Sequence, residues 1–142
     1  MTLVVDASLA GAWVLKDEHS EEAEELLAVI VEGREDLAVS DLWSYEMLNL
    51  LISACRRGRL RQSQLQDALS LLEAIPCVFY DHQSTLTRER TAKLSLRFSL
   101  SAYDAAYLEL ADRLQCALKS SDRALLKAAA SMGLARISHT GS

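Results

Sequence analysis

The sequence predicts an α/β fold, a mainly parallel central sheet of 4–5 strands flanked by about seven helices in a three-layer sandwich. Short apolar, β-branched-rich runs alternate with longer segments of helical spacing along the whole chain, the pattern of successive strand–helix–strand units. A length of 142 residues with 50% apolar side chains suits one core that buries roughly two-thirds of the unfolded surface. A single proline, Pro76, and few glycines leave no visible linker, and there is no internal repeat or low-complexity run. One domain is expected over residues 1–138, with 139–142 as a frayed tail.

The first strand is read at LVVD (3–6), where three apolar residues run into an aspartate. SLAGAWVL (8–15) has helical spacing, and SEEAEELLAVIVE (20–32) is a helix whose serine and early glutamates suit an N-terminus and a solvated face. LAVS (37–40) is the second strand. DLWSYEMLNLLISACRR (41–57) is a long helix; the bases of RRGRLR (56–61) around Gly58 suit helix termination and would also track phosphates. SQLQDALSLLEAI (63–75) is a further helix, halted before Pro76. CVFY (77–80) is the third strand, with Asp81 as the expected N-cap of the helix TLTRERTAKLSLRF (85–98). On that helix Arg90, Lys93 and Arg97 share a face, which suits RNA contact or plain solvation equally. SAYDAAYLELADRL (101–114) opens with the capping-box spacing of Ser101 and Asp104; its apolar stripe contains Tyr103 and Tyr107, with Glu109, Asp112 and Arg113 placed elsewhere. CALK (116–119), the helix DRALLKAAASM (122–132) and a fifth strand at ARI (135–137) complete the pattern. Trp13, Trp43, Tyr103 and Tyr107 fall at helical spacing and are assigned to core or dimer packing.

Composition narrows the function classes. The longest apolar run, LLAVIV (26–31), is far short of the roughly 20 residues a membrane span needs, and no basic-then-apolar leader is visible, so a cytoplasmic protein is expected. Cys55, Cys77 and Cys116 are odd in number and widely spaced, and His19, His82 and His139 show no zinc spacing and no paired cysteine nucleophile. The net charge of −5 is unevenly distributed: up to Cys55 there are 12 acids and 2 bases, and from Arg56 onward 13 bases and 8 acids. A net acidic chain of this kind can still carry a basic face.

Four acids stand where a fold needs a reason for them. Asp6 ends an apolar strand, and Asp6 or Ser8 would also serve as the N-cap of the next helix. Glu46 is the single charge between Asp41 and Arg56, with Leu42, Trp43, Asn49 and Leu50 three and four residues away, although a narrow polar stripe of Glu46, Asn49 and Ser53 would account for it. Asp104 either folds back onto Ser101 or points toward protein. Asp122 repeats the geometry of Asp6, an acid just past a strand's carboxyl end. Brought together, four carboxylates would repel one another, and a hard divalent cation such as Mg²⁺ or Mn²⁺ would resolve the conflict and supply phosphoryl chemistry.

These residues resemble the PIN-domain ribonucleases, and within them the VapC-like toxins of bacterial and archaeal toxin–antitoxin pairs. VVDASL, DLWSYEMLNLL, LSAYDAAYLELA and LKSSDRALLKAA look like the four motifs of that family, in order and over nearly the whole chain. The resemblance carries the family's metal-binding acids onto Asp6, Glu46, Asp104 and Asp122, and its small hydroxyl positions onto Ser8 and Ser120, where many relatives have threonine. It implies a PIN-like sandwich, an Mg²⁺- or Mn²⁺-dependent endoribonuclease, an RNA substrate, a homodimer and a small antitoxin protein that blocks the site. Two other classes stay open: an inactive PIN-like binding scaffold, and a phosphoacceptor signalling domain with Asp81 or Asp6 as acceptor and Lys119 as partner. A haloacid-dehalogenase-like phosphotransferase would want an acid where Ser8 stands.

Overall fold

A computed structural model describes residues 1–135. Strands β1 (Thr2–Val5), β2 (Asp36–Val39), β3 (Val78–Phe79) and β4 (Ala117–Lys119) form a wholly parallel sheet in the order β3–β2–β1–β4. Parallel neighbours require crossovers, and the helices supply them: α1 (Ala7–Ala10) and α2 (Glu21–Val31), then α3 (Asp41–Arg56) and α4 (Gln62–Ala74), then α5 (Thr85–Phe98) and α6 (Ala102–Leu114), with α7 (Arg123–Ser131) after β4. The three crossing strands Leu3–Val5, Leu37–Val39 and Leu118 are buried on both faces, as expected for a sheet covered by helices. Helix α6 packs across β1 and β4 with α5 laid over it, while α3 packs on β2 and α1, which gives the expected three-layer sandwich.

Several boundaries differ from the sequence reading. Asp6 and Ser40 leave their strands because their carbonyls already accept the first helical bonds, from Ala10 and Ser44. The segment 8–15 is not one helix: α1 ends at Ala10 and continues as a tight 3₁₀ turn over Gly11–Trp13. Gly11 lies against α3, where an added Cβ would come within 2.9 Å of the tip of the Leu50 side chain, which would have to shift to admit it. Asp81 is not the cap of α5; Ser84 takes that role, and Asp81 instead accepts from the backbone of Gln83. Helix α6 is buried almost all round from Ala105 to Ala111, Glu109 included, because α5 covers the side that periodicity alone leaves to solvent. Ala135 is described without strand structure and Arg136 and Ile137 lie outside the described residues, as does the 139–142 tail; the Leu134 carbonyl accepts from the Leu118 N–H at 2.8 Å beside β4.

Candidate active site

In a parallel sheet, ligands bind at the carboxyl ends of the strands where the strand order reverses. Here β1 connects to β2 on one side and pairs with β4 on the other, so the reversal falls between β1 and β4. Asp6 leaves β1 and Ser120 leaves β4 at that point, one step beyond the Val5–Lys119 pair, and the Asp6 N–H prolongs the ladder to the Lys119 carbonyl.

Asp6 is 3% exposed and fully engaged. Its carboxylate accepts from Ser8 Oγ at 2.7 Å, Ser120 Oγ at 2.6 Å and, as N-cap of α1, the Leu9 N–H at 3.3 Å. The two hydroxyls sit 3.2 Å apart; Ser8 Oγ accepts from the Ser121 N–H and Ser120 Oγ from the Asp122 N–H. This chain of bonds ties the ends of β1 and β4 together and fixes the orientation of Asp6. Both sequence readings of Asp6 therefore hold together: it caps a helix and stands at the strand edge.

The other acids arrive from three different elements. Asp122 caps α7 by accepting from the Leu125 N–H at 3.0 Å. Asp104 lies in the first turn of α6, its backbone N–H donating to Ser101 Oγ. Glu46 projects from the middle of α3 and accepts from the buried Tyr107 hydroxyl of α6 at 2.5 Å. Burial first, and then neighbouring acids, hold three carboxyls above their ordinary range. For Asp6 the neighbour is Asp122; for Asp104 it is Asp122 and Asp6; for Glu46 it is Asp6 and Asp104. The hydroxyl bonds of Ser120 and Ser8 on Asp6, and of Tyr107 on Glu46, oppose that rise by favouring the ionised form. Tyr107 itself is pushed well above the usual phenol range, by burial and then by the carboxylate it faces.

Among the described residues no lysine or arginine forms an ion pair with any of the four acids. Nor do three His, Cys, Asp or Glu side chains among them close on a point as a preformed metal cage. The donor set is nevertheless oxygen only, mutually repelling and open on one side, which suits a hard cation that keeps several of its waters and takes one or two carboxylates directly.

The PIN domain family matches residues 3–131. This chain belongs to the PIN-domain family. Ribonuclease VapC3 of Pyrobaculum aerophilum is 34% identical over 125 residues, covering 88% of this chain and 92% of that protein. Ribonuclease VapC9 of Mycobacterium tuberculosis is 33% identical over 120 residues, covering 84% and 85%. The crystal structure of PAE2754 from Pyrobaculum aerophilum superposes with a TM-score of 0.67 at 23% identity over 90% of this chain and 79% of that one, which supports the fold. The PIN-like sandwich expected from the motifs is thus the observed one.

Other expectations divide. Arg90, Lys93 and Arg97 form an exposed row on α5, with the Arg97 guanidinium 4.6 Å over the Phe98 ring, and none of them bonds to the acids. Trp13, Trp43 and Tyr107 are buried, but Tyr103 is 62% exposed and does not join the core, because the first turn of α6 lies open to solvent. Lys119 is buried with Glu22 and Glu35 as charged neighbours, and Asp81 is exposed with its carbonyl held by Arg113. Among the described residues no helix is long and apolar enough to cross a membrane. Sequence reasoning overlooked Tyr107 as the partner of Glu46; the signal was a buried tyrosine one turn beyond Asp104, since a buried phenol needs an acceptor.

Proposed function

We propose that this PIN domain is an Mg²⁺- or Mn²⁺-dependent endoribonuclease, the toxin of a type II toxin–antitoxin pair, that hydrolyses RNA phosphodiester bonds with water as nucleophile. The observation that carries the reading is that Asp6, Glu46, Asp104 and Asp122 come within one another's electrostatic reach at the switch point, with no ion pair to a lysine or arginine among the described residues. Those four side chains would hold the cation directly or through its waters. The bound ion would supply an activated water and offset charge on the phosphoryl group. Ser8 and Ser120 aim Asp6 and favour its ionised form against the rise that burial causes, and Tyr107 does the same for Glu46. Among the described residues, the histidine–hydroxyl pair His82–Thr91 is packed with Glu109 and Arg113 at the other end of α6 from Asp104, and the hydroxyls at the acid edge, Ser8 and Ser120, are committed to holding the Asp6 carboxylate, which favours water as nucleophile. Arg90, Lys93 and Arg97 offer phosphate contacts on the flanking helix. The names of the VapC relatives support RNA as substrate. A homodimer in the cytoplasm, a single domain over residues 1–138 and a small antitoxin complete the proposal; an antitoxin arginine would satisfy the carboxylates as the cation does, so inhibitor and metal would compete.

The test is purified protein with total RNA in Mn²⁺ and in EDTA, with the new ends mapped. Cleavage that needs Mn²⁺, leaves 5′-phosphate and 3′-hydroxyl ends and is lost in Asp104→Ala is expected. A 2′,3′-cyclic phosphate end would exclude water as nucleophile. Mn²⁺ binding without cleavage would favour a binding scaffold, a reading that the lack of a preformed cage among the described residues also fits. Expression alone is expected to arrest growth, and co-expression with the neighbouring small open reading frame to relieve it; harmless expression of folded, active protein would refute the toxin reading.

A further inference from the structure

A groove of about 610 Å³ opens beside Ser8 and Glu46 and runs along α3. Its lining mixes a polar stripe of Glu46, Asn49, Ser53 and Arg57, residues three to four apart along α3 and its C-terminal cap, with the apolar Leu42 and Leu50. Tyr45 and Tyr103, each next in sequence to one of the four acids, line the same groove and are 72% and 62% exposed. Neither phenol hydrogen-bonds to a described residue, and the Arg57 guanidinium is likewise free of ion pairs among them, whereas the nearby Arg59 is held by Asp17 and Glu18. Large aromatic rings left open beside a polar stripe add little to the core, and they are the surface that unpaired bases stack on.

We infer that this groove is the path of single-stranded RNA away from the cut, with Tyr45 and Tyr103 stacking unpaired bases and Arg57 engaging a backbone phosphate. The inference rests on the ribonuclease reading above and goes further by assigning positions that bind substrate without touching the reacting atoms. A strand cut internally has to continue away from the carboxylates, and this groove begins at two residues of that edge. From Glu46 to Arg57 the helix rises about 16 Å, enough for a few nucleotides of extended strand between the scissile phosphate and the next charged contact. Beside Leu42 and Leu50 the lining offers carboxylate, amide, hydroxyl and guanidinium, groups that can pair with bases and phosphates while the two rings stack.

The experiment measures binding of a fluorescein-labelled, mixed-sequence single-stranded RNA in EDTA by anisotropy, and cleavage of the same RNA in Mn²⁺. Tyr45→Ala and Tyr103→Ala are each expected to raise Kd and KM by roughly 5- to 100-fold with kcat retained, while Tyr45→Phe and Tyr103→Phe, which keep the ring, restore both. Arg57→Gln is expected to weaken all sequences alike and to flatten the slope of log affinity against log salt by about 0.7. Calorimetric Mn²⁺ affinity should be unchanged in all of them. If wild type cleaves RNA and the alanine variants match its Kd and KM, the groove assignment is wrong while the ribonuclease reading stands. If wild type neither binds nor cleaves RNA, both fail. Retained RNA affinity together with lost binding of the antitoxin, or with a shift from dimer to monomer in size exclusion, would make this a protein-contact surface and overturn the inference.

Discussion

Replacing Tyr107 by phenylalanine isolates one hydrogen bond at the candidate site. The ring is 5% exposed and packs in the core, so Tyr107→Phe keeps its apolar contacts and removes the hydroxyl that donates to Glu46. A bond to an ionised acceptor contributes about 1.5–3 kcal/mol, and because Glu46 is partly exposed and water replaces part of it, a loss of about 1–2 kcal/mol and a Tm lower by roughly 3–6 °C are expected. The loss should depend on pH. Glu46 already titrates above its ordinary range, through burial and then through Asp6 and Asp104, with the Tyr107 bond opposing them. For a carboxyl raised in the folded state, the folded state binds the extra proton, so stability falls as pH climbs from the unfolded value through the folded one. Without its donor, ionised Glu46 is disfavoured further, and that fall deepens. The deficit relative to wild type should therefore be small at about pH 4 and full at about pH 8, and should vanish in a Glu46→Gln background. Thermal unfolding followed by circular dichroism across that range measures it. Calorimetric Mn²⁺ affinity should fall about 10- to 100-fold, as for other residues that orient a metal ligand. A deficit equal at both pH values, or none at neutral pH, would refute the charge-assisted bond.

Three further outcomes are expected. Ser120→Ala removes a donor to Asp6 and the acceptor of the Asp122 N–H, so urea unfolding should show a loss of about 1–2 kcal/mol that Ser120→Thr recovers; an unchanged midpoint would mean the hydroxyl chain does not hold the β1–β4 edge. Asp104→Asn relieves the repulsion from Asp122 and Asp6, so without metal its unfolding free energy should rise slightly near neutral pH, by at most about 1 kcal/mol after solvent screening, while Mn²⁺ affinity drops; unchanged affinity here and in Asp6→Asn would rule out a shared site. Arg113→Ala strands the 1% exposed Glu109, which in the wild type accepts two guanidinium bonds, and should cost about 2–4 kcal/mol, with Glu109→Gln in the same chain recovering much of it; an unchanged midpoint in the single variant would show that the pair does not hold the Asp81–His82 segment against α6.

The sequence by itself determined the order of the four strands and the helices and the caps at Asp6, Ser101 and Asp122, misjudged Asp81 for Ser84 at α5, and singled out four acids as candidates. Each of these is a local matter: apolar periodicity within one element, or a side chain reaching a backbone N–H three residues away, acts over a single turn and is visible in any window of the chain. Periodicity assigns a face but not a depth. It put Tyr103 and Tyr107 on one stripe of α6, where the first turn leaves Tyr103 in solvent while Tyr107 reaches Glu46, and it left Glu109 outside a core that α5 closes over. Only the tertiary structure decided that β1 pairs with β4, and that pairing is what joins Ser8 to Ser120 across more than a hundred residues and brings Asp6 within the field of Asp122. The same holds for the groove along α3, whose walls come from α3 and α6. Which distant elements meet is set by sheet order and by which helix covers which face, a balance of burial summed over the whole core, and no short stretch of sequence contains that sum.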